Sequence, residues 1–298
     1  MDITKLKGSI VALVTPFNGD GSINFEKLGE LIEFHIENKT DAVLILGTTG
    51  ESSTMTHEED DAVCEYAVKR AAGRIPIIAG SGSNCTQTML EKSLAYEKLG
   101  ADGLLIISPY YNKANDEGMY RHFKTVADAV NIPCILYNVP GRTGCSISEN
   151  VIARLKDHPN IMGIKEASGN MSYTAKIAKY VGPNFALYCG NDDIAVPTMA
   201  LGGSGVISVS ANIIPKQTHD MIMDYLSGST AKATEAQIKY LDFINALFCE
   251  VNPVPVKEAM NMLGMNVGGF RLPLCEMEES NRSKLKKTMA NVGILKRS

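Results

Sequence analysis

Short, continuously apolar runs recur along the chain at nearly even spacing: "SIVALVTP", "AVLILGTTG", "IPIIAGSG", "GLLIISPYY", "IPCILYNVP", "IMGIKEAS", "FALYCGND" and "GVISVSAN". Between them lie segments whose apolar residues return with helical period, such as "NFEKLGELIEFHIENK", "EEDDAVCEYAVKRAA" and "TMLEKSLAYEKLG". The last of these closes on Gly100, a fitting C-cap. Strands that are apolar throughout and separated by helices belong to a parallel sheet buried on both faces. Eight such units predict an α/β fold, a (β/α)8 TIM barrel. An open doubly wound sheet is the competing arrangement, but no glycine-rich dinucleotide loop follows the first strand. After Leu226 the pattern turns wholly helical, through "KATEAQIKYLDFINALFCE", "VPVKEAMNMLG" and a lysine-rich final segment. Residues 1–226 are therefore expected to form the barrel, and 227–298 a C-terminal helical extension packed on it.

Composition narrows the picture. With 298 residues, 45% of them hydrophobic, the chain can bury a substantial core. A formal net charge of -4 gives no electrostatic reason to expect nucleic acid or an anionic membrane as a partner. No apolar stretch approaches the roughly 20 residues that span a bilayer. The opening "MDITKLKGSI" lacks the apolar h-region of a secretory signal. The cysteines (Cys64, Cys85, Cys134, Cys145, Cys189, Cys249, Cys275) are scattered, odd in number and without CxxC spacing. Free thiols in a reduced, cytoplasmic protein are the expectation.

Active sites of this fold lie where strands end and βα loops begin. Each run does end in polar residues there, and one ending is unusual. In "IMGIKEASGN" a lysine, Lys165, closes an apolar strand. Alternation groups Ile161 and Gly163 with Lys165 on one face, and Gly163 would leave space for the lysine stem. Burial disfavours the ammonium form of a lysine, and only the free amine attacks a carbonyl. A structural Lys165–Glu ion pair, or a stem that snorkels outward, is the competing reading. The five histidines (His35, His57, His122, His158, His219) fall in or beside helices, which speaks against a histidine-ligated metal or a histidine base. Schiff-base chemistry needs neither metal nor cofactor, only a proton shuttle. The hydroxyls of Tyr137, Thr48 and Tyr111 are candidates, although a tyrosine in a strand is as readily a core residue.

"GTTGES" (Gly47 to Ser52), "YNVPGRTG" (Tyr137 to Gly144) and "GIKEASGN" (Gly163 to Asn170) each fall at the end of an expected strand. "SPYYNK", "GVISVSAN" and "NPVPVKEAM" follow in matching order. Over essentially its full length the chain resembles the dihydrodipicolinate synthase family, Schiff-base aldolases that include N-acetylneuraminate lyase. The resemblance implies condensation of pyruvate with aspartate semialdehyde in lysine and diaminopimelate biosynthesis, with no cofactor beyond the pyruvate imine on Lys165. It assigns Tyr137, Thr48 and Tyr111 to a proton relay, with Tyr111 reaching in from a neighbouring subunit. Thr49 and the backbone around Gly190 and Ile207 match positions that hold the pyruvate-derived part, and Arg142 the arginine that binds the semialdehyde carboxylate. A guanidinium fork suits a carboxylate. The sugar-acid lyases of the same family typically lack this arginine and the second threonine of "GTTGE". A retro-aldolase on a 2-keto-3-deoxy sugar acid, and a barrel that binds such acids without turnover, remain as alternatives. The resemblance also implies a homo-oligomer, commonly a dimer of dimers. Lysine-inhibited members line a feedback site with a histidine and a glutamate where this chain has Asp60 and Thr88, while Ser52, His57, Asn84 and Tyr110 match. Weak or absent inhibition by lysine is therefore expected.

Overall fold

In the computed structural model, which describes residues 3–295, the apolar runs become eight parallel strands. They are β1 (Gly8–Ala12), β2 (Ala42–Ile45), β3 (Ile77–Gly80), β4 (Gly103–Ile107), β5 (Cys134–Asn138), β6 (Ile161–Glu166), β7 (Ala186–Cys189) and β8 (Gly205–Ser208). They pair in chain order, and β8 closes the ring on β1 through Ile10 and Ile207. The helices wrapped around them are α1 (Phe25–Glu37), α2 (His57–Ala71), α3 (Thr86–Lys98), α4 (Asp116–Ala129), the single turn α5 (Pro140–Thr143), α6 (Glu149–Leu155), α7 (Met171–Ala178), α8 (Ala195–Ala200) and α9 (Pro215–Leu226). Three more follow: α10 (Thr230–Ala246), α11 (Val254–Met262) and α12 (Glu279–Asn291). This is the (β/α)8 barrel with a C-terminal helical part that the periodicity predicts.

Local chemistry starts the helices where the pattern needs them. Asn24, Asn115, Ser148 and Asn170 each accept from a backbone N–H of the first turn, and Thr56 with Glu59 makes a complete capping box on α2. A cap of this kind is worth about 1 kcal/mol. Strand alternation then sorts the core into two shells. Ile10, Leu44, Ile78, Leu105, Ile135 and Ile207 fill the barrel interior. Val11, Val43, Ile77, Leu104, Leu136 and Leu187 face outward against Leu31, Val63, Met89 and Phe123 of the helices. Phe243, Leu247, Val256 and Met260 of the extension join that same outer shell, so its helices share the barrel's core.

β6 departs from strict alternation. Cys134 pairs with Ile161 but its neighbour Ile135 pairs with Gly163, so β6 carries one extra residue, a bulge. Met162 consequently enters the interior cluster while Ile161 faces the helices, the reverse of the simple period-2 expectation. Beyond the bulge the order recovers, with Ile164 outward and Lys165 inward. Gly163 also serves a different purpose from the one expected. A Cβ there would lie 2.3 Å from the carbonyl oxygen of Ala186, so the missing side chain admits the backbone of β7 and not the lysine stem.

At the opposite end of the barrel, Asp41 Oδ2 accepts from the Ser9 N–H at 2.7 Å and meets His219 Nδ1 at 2.8 Å, tying β1 to α9. The hydrogen bond to Asp41 raises the His219 pKa above 6.5, outweighing burial. A folded-state value above the unfolded one means that this contribution is complete below the unfolded pKa and fades as pH rises through the folded one. The melting-temperature gap between the parent and His219→Gln should therefore be wider just below the ordinary histidine pKa of about 6.5 than in alkaline solution, where the ring is neutral. Thermal melts across that range check it, and a gap that widens with pH contradicts it.

Candidate active site

Lys165 stands on the inner face of β6, with Tyr137 of β5 and Tyr188 of β7 as its register partners. It is buried, and its Nζ lies 4.4 Å from the centroid of the Tyr137 ring. Among the described residues the amine has no hydrogen-bond or ion-pair partner. The two nearby carboxylates are engaged elsewhere. Glu166 points to the outer face, where it accepts from Asn138 Nδ2 and from the Ser168 N–H, both at 2.6 Å. Asp192 accepts from the N–H groups of Val209 and Ser210 at 2.9 and 3.0 Å. Burial raises the pKa of both acids, against those hydrogen bonds and, for Asp192, against the charge of Lys165. The Lys165–Glu ion pair considered from sequence is thus absent among the described residues.

Room for the lysine comes from the glycine that follows β7. A Cβ at Gly190 would sit 3.0 Å from Lys165 Cε and 2.5 Å from Ala167 Cβ. Above the amine opens a cavity of about 180 Å³. Lys165, Tyr137, Thr48, Thr49, Arg142 and Gly190 line this one cavity. Ile207 lies in the barrel interior instead, packed in the cluster that includes Tyr137 and Tyr188. Tyr111 lies outside, 90% exposed, with a left-handed φ of 70°.

The threonines belong to a tight turn from Gly47 to Glu51 after β2. Gly50 N–H donates to Gly47 O at 3.0 Å and Glu51 N–H to Thr48 O at 3.2 Å. Two non-glycine residues flanking it, Leu46 (φ 58°) and Glu51 (φ 55°), adopt the left-handed conformation. Each costs on the order of 1–3 kcal/mol and persists only where the surroundings over-determine it. Here they do. Thr15 Oγ1 donates to Gly50 O at 2.6 Å, and Asn252 Nδ2 donates to Thr49 Oγ1 at 2.9 Å. Arg142, at the cavity mouth, donates from Nη2 to Asn252 O at 3.2 Å and has no carboxylate partner among the described residues. Its remaining donors are free for an incoming acid. The hydroxyls of Thr48 and Tyr137 likewise have no partner among the described residues.

Sequence reasoning passed over Asn252 and Phe248, which also line the cavity, and the buried ion pair of Lys257 with Glu51. A second cavity, about 300 Å³, shares Gly47, Thr48, Leu105 and Tyr137 with the first, and is also lined by Ser52, His57, Asp60, Thr88, Lys92 and Tyr110. In it Asp60 Oδ2 pairs with Lys92 Nζ at 2.8 Å. His35 and His122 are buried away from both cavities, bonded to Thr40 and Thr86, and burial pushes their pKa values down to about 3 and about 4.

A closed parallel barrel with a buried amine, hydroxyls and a guanidinium gathered at the C-terminal ends of its strands defines a (β/α)8-barrel enzyme. Comparison with known proteins supplies the family. The model of the Dihydrodipicolinate synthetase family matches residues 5–292, and the chain belongs to that family. It is 53% identical to the 4-hydroxy-tetrahydrodipicolinate synthase of Caldicellulosiruptor saccharolyticus over 97% of each chain. Its structure superposes on dihydrodipicolinate synthase from Aquifex aeolicus with a TM-score of 0.94, at 46% identity, covering 98% of this chain and 100% of that one. A chloride-inhibited dihydrodipicolinate synthase from Acinetobacter baumannii, solved with pyruvate, gives a TM-score of 0.95 at 42% identity over 97% and 100% of the two chains.

The contact between Gly190 and the lysine stem generates a test. Gly190→Ala should make the backbone at Ala167 and the lysine stem give way together, because its Cβ would lie 2.5 Å from Ala167 Cβ and 3.0 Å from Lys165 Cε, and so displace the amine by a fraction of an ångström. Misplacement on that scale costs up to about 10²-fold in rate. Steady-state kinetics beside a thermal melt check it; an alanine variant as fast as the parent contradicts the assigned role of Gly190.

Proposed function

We propose that the chain is a 4-hydroxy-tetrahydrodipicolinate synthase that condenses pyruvate with L-aspartate 4-semialdehyde through a Schiff base on Lys165, in lysine and diaminopimelate biosynthesis. The observation that carries this reading is the amine itself: buried, without a carboxylate in contact among the described residues, and facing a cavity that Thr48, Thr49, Tyr137 and Arg142 also line. Its lone pair attacks the ketone carbon of pyruvate, and water leaves to give the imine. The positively charged imine acidifies the adjoining methyl group, and loss of one proton gives the enamine. That carbon attacks the aldehyde of the second substrate, forming the new C–C bond. The semialdehyde amine then adds to the imine carbon, closes the ring and frees Lys165. Each step moves a proton, and the Thr48 and Tyr137 hydroxyls lie along the same cavity to carry it. Arg142 offers a bidentate fork to the semialdehyde carboxylate. Thr49, Gly190 and the backbone at Ile207 are assigned to the pyruvate-derived part.

We assign Tyr111 to the relay of a neighbouring subunit, on the strength of its full exposure and left-handed backbone. The active unit is then a homo-oligomer, a dimer of dimers by family habit. The chemistry calls for no metal or organic cofactor. Cytoplasmic location fits a biosynthetic enzyme, and no helix among the described residues is long and apolar enough to cross a membrane. We divide the chain at Leu226, where α9 ends, into a catalytic barrel (1–226) and a helical extension (227–298).

Substrate choice tests the reading. Pyruvate with aspartate semialdehyde should turn over while N-acetylneuraminate does not, and Arg142→Ala should lower kcat/KM for the semialdehyde by about 10- to 10²-fold, a charge-assisted pair's worth. Cleavage of N-acetylneuraminate without condensation activity would overturn it. Regulation gives a second test. The ammonium of Lys92 already neutralises buried Asp60, and Thr88 offers no carboxylate, so a free lysine finds little to pair with in the neighbouring cavity. The condensation rate should be unchanged in millimolar lysine; half-inhibition below that concentration contradicts the expectation.

A further inference from the structure

The turn that carries Thr48 and Thr49 is anchored by an ion pair that has no part in the chemistry just described. Lys257 of α11 is fully buried and donates to Glu51 Oε1 at 2.8 Å and to Thr15 O at 3.1 Å. The rings of Phe17 and Phe270 cover it at 4.4 and 5.4 Å. Glu51 is itself buried, takes the N–H of Arg271 on its other oxygen at 3.4 Å, and holds the left-handed φ of 55° that lets its own N–H close the turn on Thr48 O. Burial pulls the Lys257 pKa down while Glu51 opposes it. Lys257 lines neither of the two cavities beside Thr48.

A buried ion pair is a poor source of stability. Replacing one with apolar groups of similar volume is often neutral or stabilising, whereas removing a single partner is strongly destabilising. The pair is better explained by the geometry that it imposes. A carboxylate pinned from the C-terminal extension forces the backbone at residue 51 into a conformation that an acidic side chain does not choose by itself. That conformation sets the direction of the two threonine hydroxyls. We propose that Lys257 and Glu51 are positioning residues: their ion pair fixes the left-handed end of the Gly47–Glu51 turn and so aims Thr48 and Thr49 into the cavity. The proposal rests on the reading of Lys165 as the Schiff-base nucleophile, and makes the helical extension a working part of the site.

The test compares Lys257→Met with the double variant Glu51→Gln/Lys257→Met, which also removes the stranded charge. Three quantities are read on each purified protein: melting temperature, the mass gained when pyruvate and borohydride are added, and kcat per folded molecule. Lys257→Met should melt well below the parent, and the double variant should recover most of that loss. Both should still trap pyruvate, because Lys165 is untouched, though their pyruvate KM should rise, because Thr49 is misaimed together with Thr48. Both should nevertheless lose at least tenfold in kcat, since the relay hydroxyl is misdirected. Should Lys257→Met fail to fold, the double variant carries the comparison alone. A double variant with kcat within twofold of the parent overturns the proposal, as does a kcat that returns in step with the melting temperature. A parent that fails to trap pyruvate would instead sink the reading of Lys165, which keeps the two failures distinct.

Discussion

An amine enclosed by a ring of parallel strands, with an aromatic face beside it and no carboxylate in contact among the described residues, is the constraint on which the rest of this site depends. Taking a cation out of water costs several kcal/mol unless partners replace the lost hydration. The fold withholds the usual partner. Glu166, next in sequence, is turned to the outer face and held there by Asn138 and the Ser168 amide. Asp192, whose pKa registers the lysine's charge, spends one oxygen on two backbone amides. What remains for Lys165 is the Tyr137 ring and an open cavity. Such an amine is disposed to react and not to stabilise, and the groups around it supply what a carbonyl reaction would use.

The second buried lysine sharpens the point. Lys257 is more completely enclosed than Lys165, yet its ammonium donates to Glu51 and Thr15 and lies against two phenyl rings. Burial alone therefore does not mark a nucleophile; burial without a partner, at a cavity, does. The two lysines also divide the labour between the halves of the chain. In the reading proposed above, one presents the reactive amine from the barrel, and the other holds the threonine turn from the helical extension. Asn252 joins them at the cavity mouth, bridging Thr49 and Arg142.

Much of this was legible in the sequence, for reasons that also explain the gaps. The eight strands, their order and the C-terminal helices follow from periodicity, which is a local property. The inward direction of Lys165 and Tyr137 follows from the same rule near the strand ends. Arg142 and Gly190 have no local signature and entered only through motif resemblance. The bulge in β6 escaped notice because a register shift depends on the neighbouring strand, so Ile161 and Met162 exchange faces and Gly163 takes on another duty. Asn252 and Lys257 were missed because their partners lie more than 200 residues away in the chain. Nothing in "NPVPVK" distinguishes a clamp from an ordinary buried helix start.

The most direct measurement asks which amine meets the keto acid. The parent enzyme would be treated with pyruvate and borohydride, digested, and its peptides mapped by mass spectrometry. The account predicts one three-carbon adduct per chain, carried by the Ile161–Glu166 strand on Lys165. An adduct on Lys257 or on a surface lysine, or a Lys165→Ala protein that forms the adduct as readily, would contradict it.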